Sequence, residues 1–205
     1  MLSGPTIIIS CPLCGRYAKK ATIISGNTFG AQLWSDCKSI APMMPDFAKL
    51  TLCKKCDQFF WVKDAKEVET VTDRNDLREK WDDLNYVEFP TFYQYYKALE
   101  LIPDELFIRV NIWRSFNDFF RDKKEDQITP EIEQMNTENL SALLKILNDS
   151  DNNELLMKVE ILRNLGEFEA SRELLNRMND PNLSWVKDKL LTENNSKNKK
   201  VIQLY

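Results

Sequence analysis

The chain has 205 residues and a formal charge of −4, with 43% hydrophobic and 29% charged side chains. That make-up suits a soluble globular protein of one elaborated domain or two small ones. No apolar run approaches the roughly 20 residues of a membrane span, and the first ten residues lack the pattern of a secretory signal, so a cytoplasmic location is expected. The absence of histidine removes Ser–His and Cys–His nucleophilic catalysis, histidine-ligated zinc and histidine acid–base chemistry.

The first sixty residues read as short strands and turns. Residues 6–10, 21–25, 31–35 and 59–62 are rich in β-branched or aromatic side chains, and Gly26-Asn27-Thr28-Phe29-Gly30, Ser35-Asp36-Cys37-Lys38 and Pro42/Pro45 punctuate them. Two CxxC motifs lie in this region, Cys11-Pro12-Leu13-Cys14-Gly15 and Cys53-Lys54-Lys55-Cys56. A CxxC turn lets two thiolates converge on one metal while backbone N–H groups point at the sulfurs, and Gly15 supplies the positive φ that such a turn uses. Cys11, Cys14, Cys53 and Cys56 therefore predict a four-thiolate site holding about one structural Zn²⁺ per chain. A closed shell of four protein ligands leaves no position for substrate. A rubredoxin-like iron centre uses similar knuckles, and redox dithiols or unliganded thiols are the remaining alternatives, although no βαβ pattern surrounds either motif.

The segment between the two motifs is too long for a minimal ribbon, so it is expected to contain its own hairpin, out through Gly26–Gly30 and back through Trp34. Gly26–Gly30 lacks the Gly-Lys-Ser/Thr ending of a phosphate loop and is read as a turn. Cys37 is read as an incidental turn residue, with a reactive thiol beside Lys38 as the alternative. Seven basic against three acidic side chains give residues 1–62 a formal +4 and leave −8 for the remainder. Four thiolates with Zn²⁺ reduce the first figure to about +2, weak for a phosphate-binding surface. An alternative nucleic-acid-binding ribbon would use Arg16, Lys19, Lys20, Lys54 and Lys55.

Residues 63–89 are charge-dense and read as a connecting segment, with Leu77, Trp81 and Leu84 on one face. From Pro90 the pattern is helical. Phe92, Tyr95, Tyr96 and Leu99 make one stripe, and Leu106, Val110, Trp113, Asn117 and Phe120 a second over about 104–120. A third follows from a cap at Thr137, with Leu140, Leu143, Leu144 and Leu147. Asp151 and Glu154 have capping-box spacing for a fourth helix that ends at Gly166. Two more are expected over about 169–178 and 182–191. The polar tail 192–200 is expected to be mobile, with Val201, Ile202 and Leu204 able to dock. Arg114, Asn117, Asp118 and Arg121 fall within two turns of one helix and are expected to form an internal polar lock, with a binding patch as the alternative.

Two resemblances follow from these residues. Residues 155–178, with Gly166, Phe168, Ala170, Ser171 and Leu175, resemble one degenerate tetratricopeptide hairpin, in which Val159 stands where that family places a small residue. The wider combination of CPLCG, SGNTFG, WSD, a second CxxC before Phe59-Phe60-Trp61, and a Trp113-Arg114…Arg121 helix is similar to a set of uncharacterised bacterial proteins. These join a Cys₄ zinc ribbon to a tetratricopeptide-like helical tail, and their resemblance brings no activity with it. The expected fold is thus α+β: a zinc ribbon over 1–62, a charged connecting segment over 63–89 and a tetratricopeptide-like helical domain over 90–205. The expected function is a non-catalytic, zinc-binding protein–protein interaction or adaptor module, with a protein or peptide partner and neither nucleic acid nor membrane. The alternatives are a nucleic-acid-binding ribbon and an enzyme using carboxylates in the helical half.

Overall fold

The computed structural model describes residues 1–73 and 75–205. The chain is mixed α and β, with small antiparallel sheets and seven α-helices among the described residues. The strands are β1 (Leu2–Ser3), β2 (Thr6–Ser10), β3 (Tyr17–Lys20), β4 (Ile23–Ser25), β5 (Gln32–Leu33), β6 (Ser39–Ile40), β7 (Leu50–Leu52), β8 (Phe59–Trp61) and β9 (Lys66–Val71). The helices are α1 (Arg74–Trp81), α2 (Phe92–Ala98), α3 (Glu105–Arg121), α4 (Pro130–Ile146), α5 (Asn152–Leu165), α6 (Phe168–Arg177) and α7 (Ser184–Asn195). Two compact units result, Met1–Ala31 with Ile40–Ile102 and Gln32–Ser39 with Pro103–Tyr205. This division differs from the 62/63 and 89/90 boundaries expected from composition.

In the first unit the isoleucine run of β2 is the centre of a three-stranded sheet ordered β3-β2-β9, with Ile8 and Ile9 buried. Ile7 opposes Lys20 on one side and Thr70 on the other. Strand β9 and helix α1 occupy what composition marks as a connecting segment. The charges there belong to an exposed sheet edge, where they discourage pairing with other chains, and they engage neighbours through Lys20–Glu67 (3.3 Å) and Lys80–Glu69 (2.7 Å). Strands β7 and β8 form a second hairpin in which Leu50 faces Trp61 and Leu52 faces Phe59. A core of Ile9, Phe60, Val62 and Ala65 encloses Cys11 and Cys53. Residues 11–16 and 53–58 are thus the turns of two hairpins, which is how strand pairing delivers the thiols.

In the second unit consecutive helices pack on one another from α3 to α7. Helix α3 turns inward a face that is only partly the one expected: Trp113 and Asn117 are buried, but Val110 and Phe120 are half-buried. Ile108, Ile112, Trp113, Phe116 and Asn117 are buried whereas Leu106 is exposed, because the apolar stripe is centred on Ile112 rather than Val110. Helix α4 begins at Pro130, not near Thr137. Thr129 caps it by accepting from Ile132 N, Pro130 occupies the first turn, and the Thr137 hydroxyl donates to Glu133 O inside the helix. Helix α5 is capped by Asp151 as expected and ends at Gly166 with φ +87°. Glu154 does not close the expected capping box but accepts from Asn148 N at 2.5 Å. Helix α7 continues to Asn195, so the tail is shorter than expected. That tail also docks: Val201 and Leu204 are buried, and Leu204 N donates to Leu33 O at 2.7 Å.

Candidate metal centre

The two CxxC turns have the same backbone construction. Cys11 N donates to Arg16 O (2.8 Å) and Gly15 N to Cys11 O (2.9 Å), while Cys53 N donates to Gln58 O (3.0 Å) and Asp57 N to Cys53 O (2.9 Å). The residue after each second cysteine is left-handed, Gly15 at φ +72° and Asp57 at φ +53°. Glycine adopts that conformation freely, and aspartate is among the few other residues that tolerate it. The second turn therefore reproduces the first without a glycine, so its CxxC spacing was the only signal of it in the sequence.

All four sulfurs, of Cys11, Cys14, Cys53 and Cys56, lie within 4.8 Å of one another. Cys14 Sγ is 3.6 Å from Cys53 Sγ, and Cys11 Sγ is 4.0 Å from Cys56 Sγ. A tetrahedral ion with metal–sulfur bonds of about 2.3 Å needs sulfur–sulfur edges of about 3.8 Å, so the donor set fits a cation and the cluster could hold a metal ion. Cys37 contributes nothing to it. That residue sits in the second unit at φ +59°, bordering the Trp113, Leu140 and Leu143 core.

Electrostatics divide the four thiols. Burial raises Cys53, but N–H donors of Cys56 and Lys55 and hydrogen bonds from Cys14 and Cys56 outweigh it, and the pKa falls to about 7. Cys56 is pushed up to about 12 by burial and by the neighbouring Cys14 and Cys53 sulfurs. Cys11 is raised by burial, against the N–H groups of Leu13 and Cys14. One sulfur is thus prepared as a thiolate while at least two hold protons that a cation would displace. Cys37, away from the cluster, is raised to about 11 by burial, against the pull of Arg114.

The cationic residues of the alternative nucleic-acid reading are largely engaged. Lys19 is buried, donates to Asp82 O (3.3 Å) and lies 5.0 Å from the centre of the Tyr86 ring. Lys20 pairs with Glu67, and Lys54 with Glu88 at 3.0 Å. Arg16 and Lys55 are exposed.

Arg114, Asn117, Asp118 and Arg121 do form a polar lock, around the Trp34–Lys38 turn. Fully buried Asp36 accepts from Arg121 Nη1 (2.8 Å), Asn117 Nδ2 (2.9 Å) and Lys38 N (3.1 Å). Arg114 donates to Cys37 O (2.9 Å) and Asp36 O (3.3 Å), and Asp118 pairs with Lys38 (2.6 Å) and Arg121 (2.8 Å). Next to it Ser35 Oγ donates to Glu160 Oε1 (2.5 Å), and Glu160 pairs with Arg163, both fully buried. Arg163 also donates to the carbonyls of Asn198 and Lys200. Sequence reasoning missed Ser35, Asp36, Glu160 and Arg163. The available signal was a Glu–Arg pair three residues apart inside the apolar run 155–165.

Comparison with protein families, curated proteins and solved structures finds no match for this chain.

Proposed function

We propose that this chain is a non-catalytic, zinc-binding protein–protein interaction module of the cytoplasm. In this reading Cys11, Cys14, Cys53 and Cys56 hold one structural zinc in a ribbon of two knuckles, and α5 to α7 belong to a tetratricopeptide-like array like that of the bacterial proteins it resembles. The convergence of four thiols to tetrahedral spacing carries the metal-binding half of the proposal. Four sulfurs complete the shell, so the ion stabilises structure, and such ions contribute on the order of 10 kcal/mol to folding. Support for the helical part comes from Ser171, whose hydroxyl donates to Val159 O at 2.9 Å where α6 crosses α5, and from the left-handed Gly166 between those helices.

Elemental analysis of the purified chain tests the metal half, with about one zinc per chain expected. Cys53→Ser should lose the metal and melt the first unit, whereas Cys37→Ser should retain full zinc. Stoichiometric iron, or zinc loss on changing Cys37, overturns the assignment. The interaction half is tested by cross-linked co-purification from the native host. A chain that retains no protein partner would refute it.

A further inference from the structure

Within the first unit, residues 85–89 cross from the three-stranded sheet to the β7–β8 hairpin. Lys19 N donates to Asn85 O (2.9 Å) and Val87 N to Lys19 O (2.8 Å), and Thr51 Oγ1 donates to Glu88 O (2.9 Å). A cleft of about 400 Å³ is lined by this segment and by both CxxC turns, a volume within the range of ligand sites. Phe60, Cys11 and Cys53 are its buried lining, and Tyr17, Tyr86 and Phe89 are exposed around it. Its charge is one-sided: against Arg16, Lys54 and Lys55 stands one carboxylate, Glu88, already paired with Lys54 at 3.0 Å. The side chains of Arg16 and Lys55 have no hydrogen-bond or ion-pair partner among the described residues.

Register leaves main-chain groups open on both walls. Hydrogen-bonded and non-hydrogen-bonded pairs alternate along an antiparallel ladder. Cys11 N donates to Arg16 O and Cys53 N to Gln58 O, so their neighbours Tyr17 and Leu52 turn N–H and C=O away from β2 and β8. Both residues line the cleft, and no strand pairs with them on that side, since β3 ends its sheet and β7 has only β8. Lys19, two residues along the same edge of β3, already holds residues 85–87, so that edge takes an extended chain. We propose that this cleft binds an extended peptide segment carrying an apolar side chain between two carboxylates; the inference rests on the reading of the protein as an interaction module and names the surface and chemistry it uses. The apolar side chain lies against Phe60 and the exposed rings, the carboxylates meet the Arg16 fork and Lys55, and the peptide's main chain bonds an open edge. Two free cations match two carboxylates rather than a polyanion, and the open edges favour a peptide over a nucleotide, whose phosphates need the cations alone.

Fluorescence anisotropy of a fluorescein-labelled Gly-Asp-Phe-Glu-Gly peptide, titrated with the full metal-loaded chain, tests this. A Kd of about 100 μM or tighter is expected, weakening as salt is added. Arg16→Glu, Lys55→Glu and Phe89→Ala should each weaken binding at least about fivefold. Lys63→Glu, an exposed charge of the same unit outside the cleft, should leave it unchanged. Phe89→Ala leaves both knuckles untouched, so it decides the matter if the charge reversals lose metal. Absence of saturable binding overturns the proposal, as does an affinity indifferent to Phe89→Ala, equally lost in Lys63→Glu, or retained when the peptide's acids are replaced by lysine. Adenosine monophosphate displacing the label at lower concentration than unlabelled peptide also overturns it and gives the cleft to a nucleotide. Cross-linked co-purification keeps the two readings apart. A chain that captures a protein partner but ignores the peptide refutes only the cleft, and one that captures no partner refutes the interaction module.

Discussion

Protons held by the thiols would set how the cluster takes up a cation. Cys11 and Cys56 are raised above the ordinary thiol value while Cys53 falls to about 7. Between pH 7 and 8, loading a divalent ion should therefore release at least about two protons, and the affinity should rise with pH. Below pH 7 Cys53 also holds its proton, so the dependence should steepen by about one further proton. Competition with a chromophoric chelator from pH 6 to 8 checks both slopes. In the polar lock, burial decides which carboxylate matters. Asp36→Ala strands the buried Arg121 and should cost about 3–5 kcal/mol, whereas Asp118→Ala removes partly exposed pairs worth about 1 kcal/mol. Equal denaturation midpoints for the two variants would refute that ordering. At this scale the cysteine cluster was legible because CxxC geometry is local. Asp36 was not, because its partners lie 81 and 85 residues away and no short window contains them.

Among the elements, those with a strong period and ordinary caps were readable. Helix α5, with Asp151 before it and Gly166 after it, emerged close to its expected bounds. Helix α4 did not, since the Thr129-Pro130 start was passed over for Thr137, a threonine that satisfies its hydroxyl on the preceding turn. Strand β9 was hidden by its charges, because a sheet edge and a linker share a composition and differ only in whether the backbone is paired. The C-terminal segment belongs to the helical unit as firmly as a helix does. Deleting residues 198–205 exposes the Leu155, Val186 and Leu190 cluster that Leu204 covers and removes two carbonyls from buried Arg163. A loss of at least about 3 kcal/mol is expected. Urea unfolding followed by circular dichroism measures it, and an unchanged midpoint would show that the segment only rests on the surface.

For the molecule as a whole, charge argues against a polyanionic partner more firmly than composition alone did. The basic excess of residues 1–62 is cancelled within its own unit by β9, α1 and the residues after it. Met1–Ala31 with Ile40–Ile102 contains twelve basic and twelve acidic side chains. With a tetrathiolate zinc that unit would be negative, and few counterions would be released on contact with nucleic acid. DNA or RNA affinity weaker than about 10 μM near physiological salt is expected. A fluorescence titration showing submicromolar, steeply salt-dependent binding would restore the ribbon alternative.

The excursion of Gln32–Ser39 into the helical unit has a consequence for inheritance. A gene cut once, anywhere, cannot deliver both units complete: residues 103–205 alone would lack Ser35 and Asp36, leaving Arg121, Asn117 and Glu160 facing an empty slot. Recombination that shuffles whole domains between genes would break this protein, and its two parts should have been transmitted as an indivisible pair. The same arrangement makes it a natural subject for fragment complementation, in which a peptide spanning the missing turn restores order to an excised helical part.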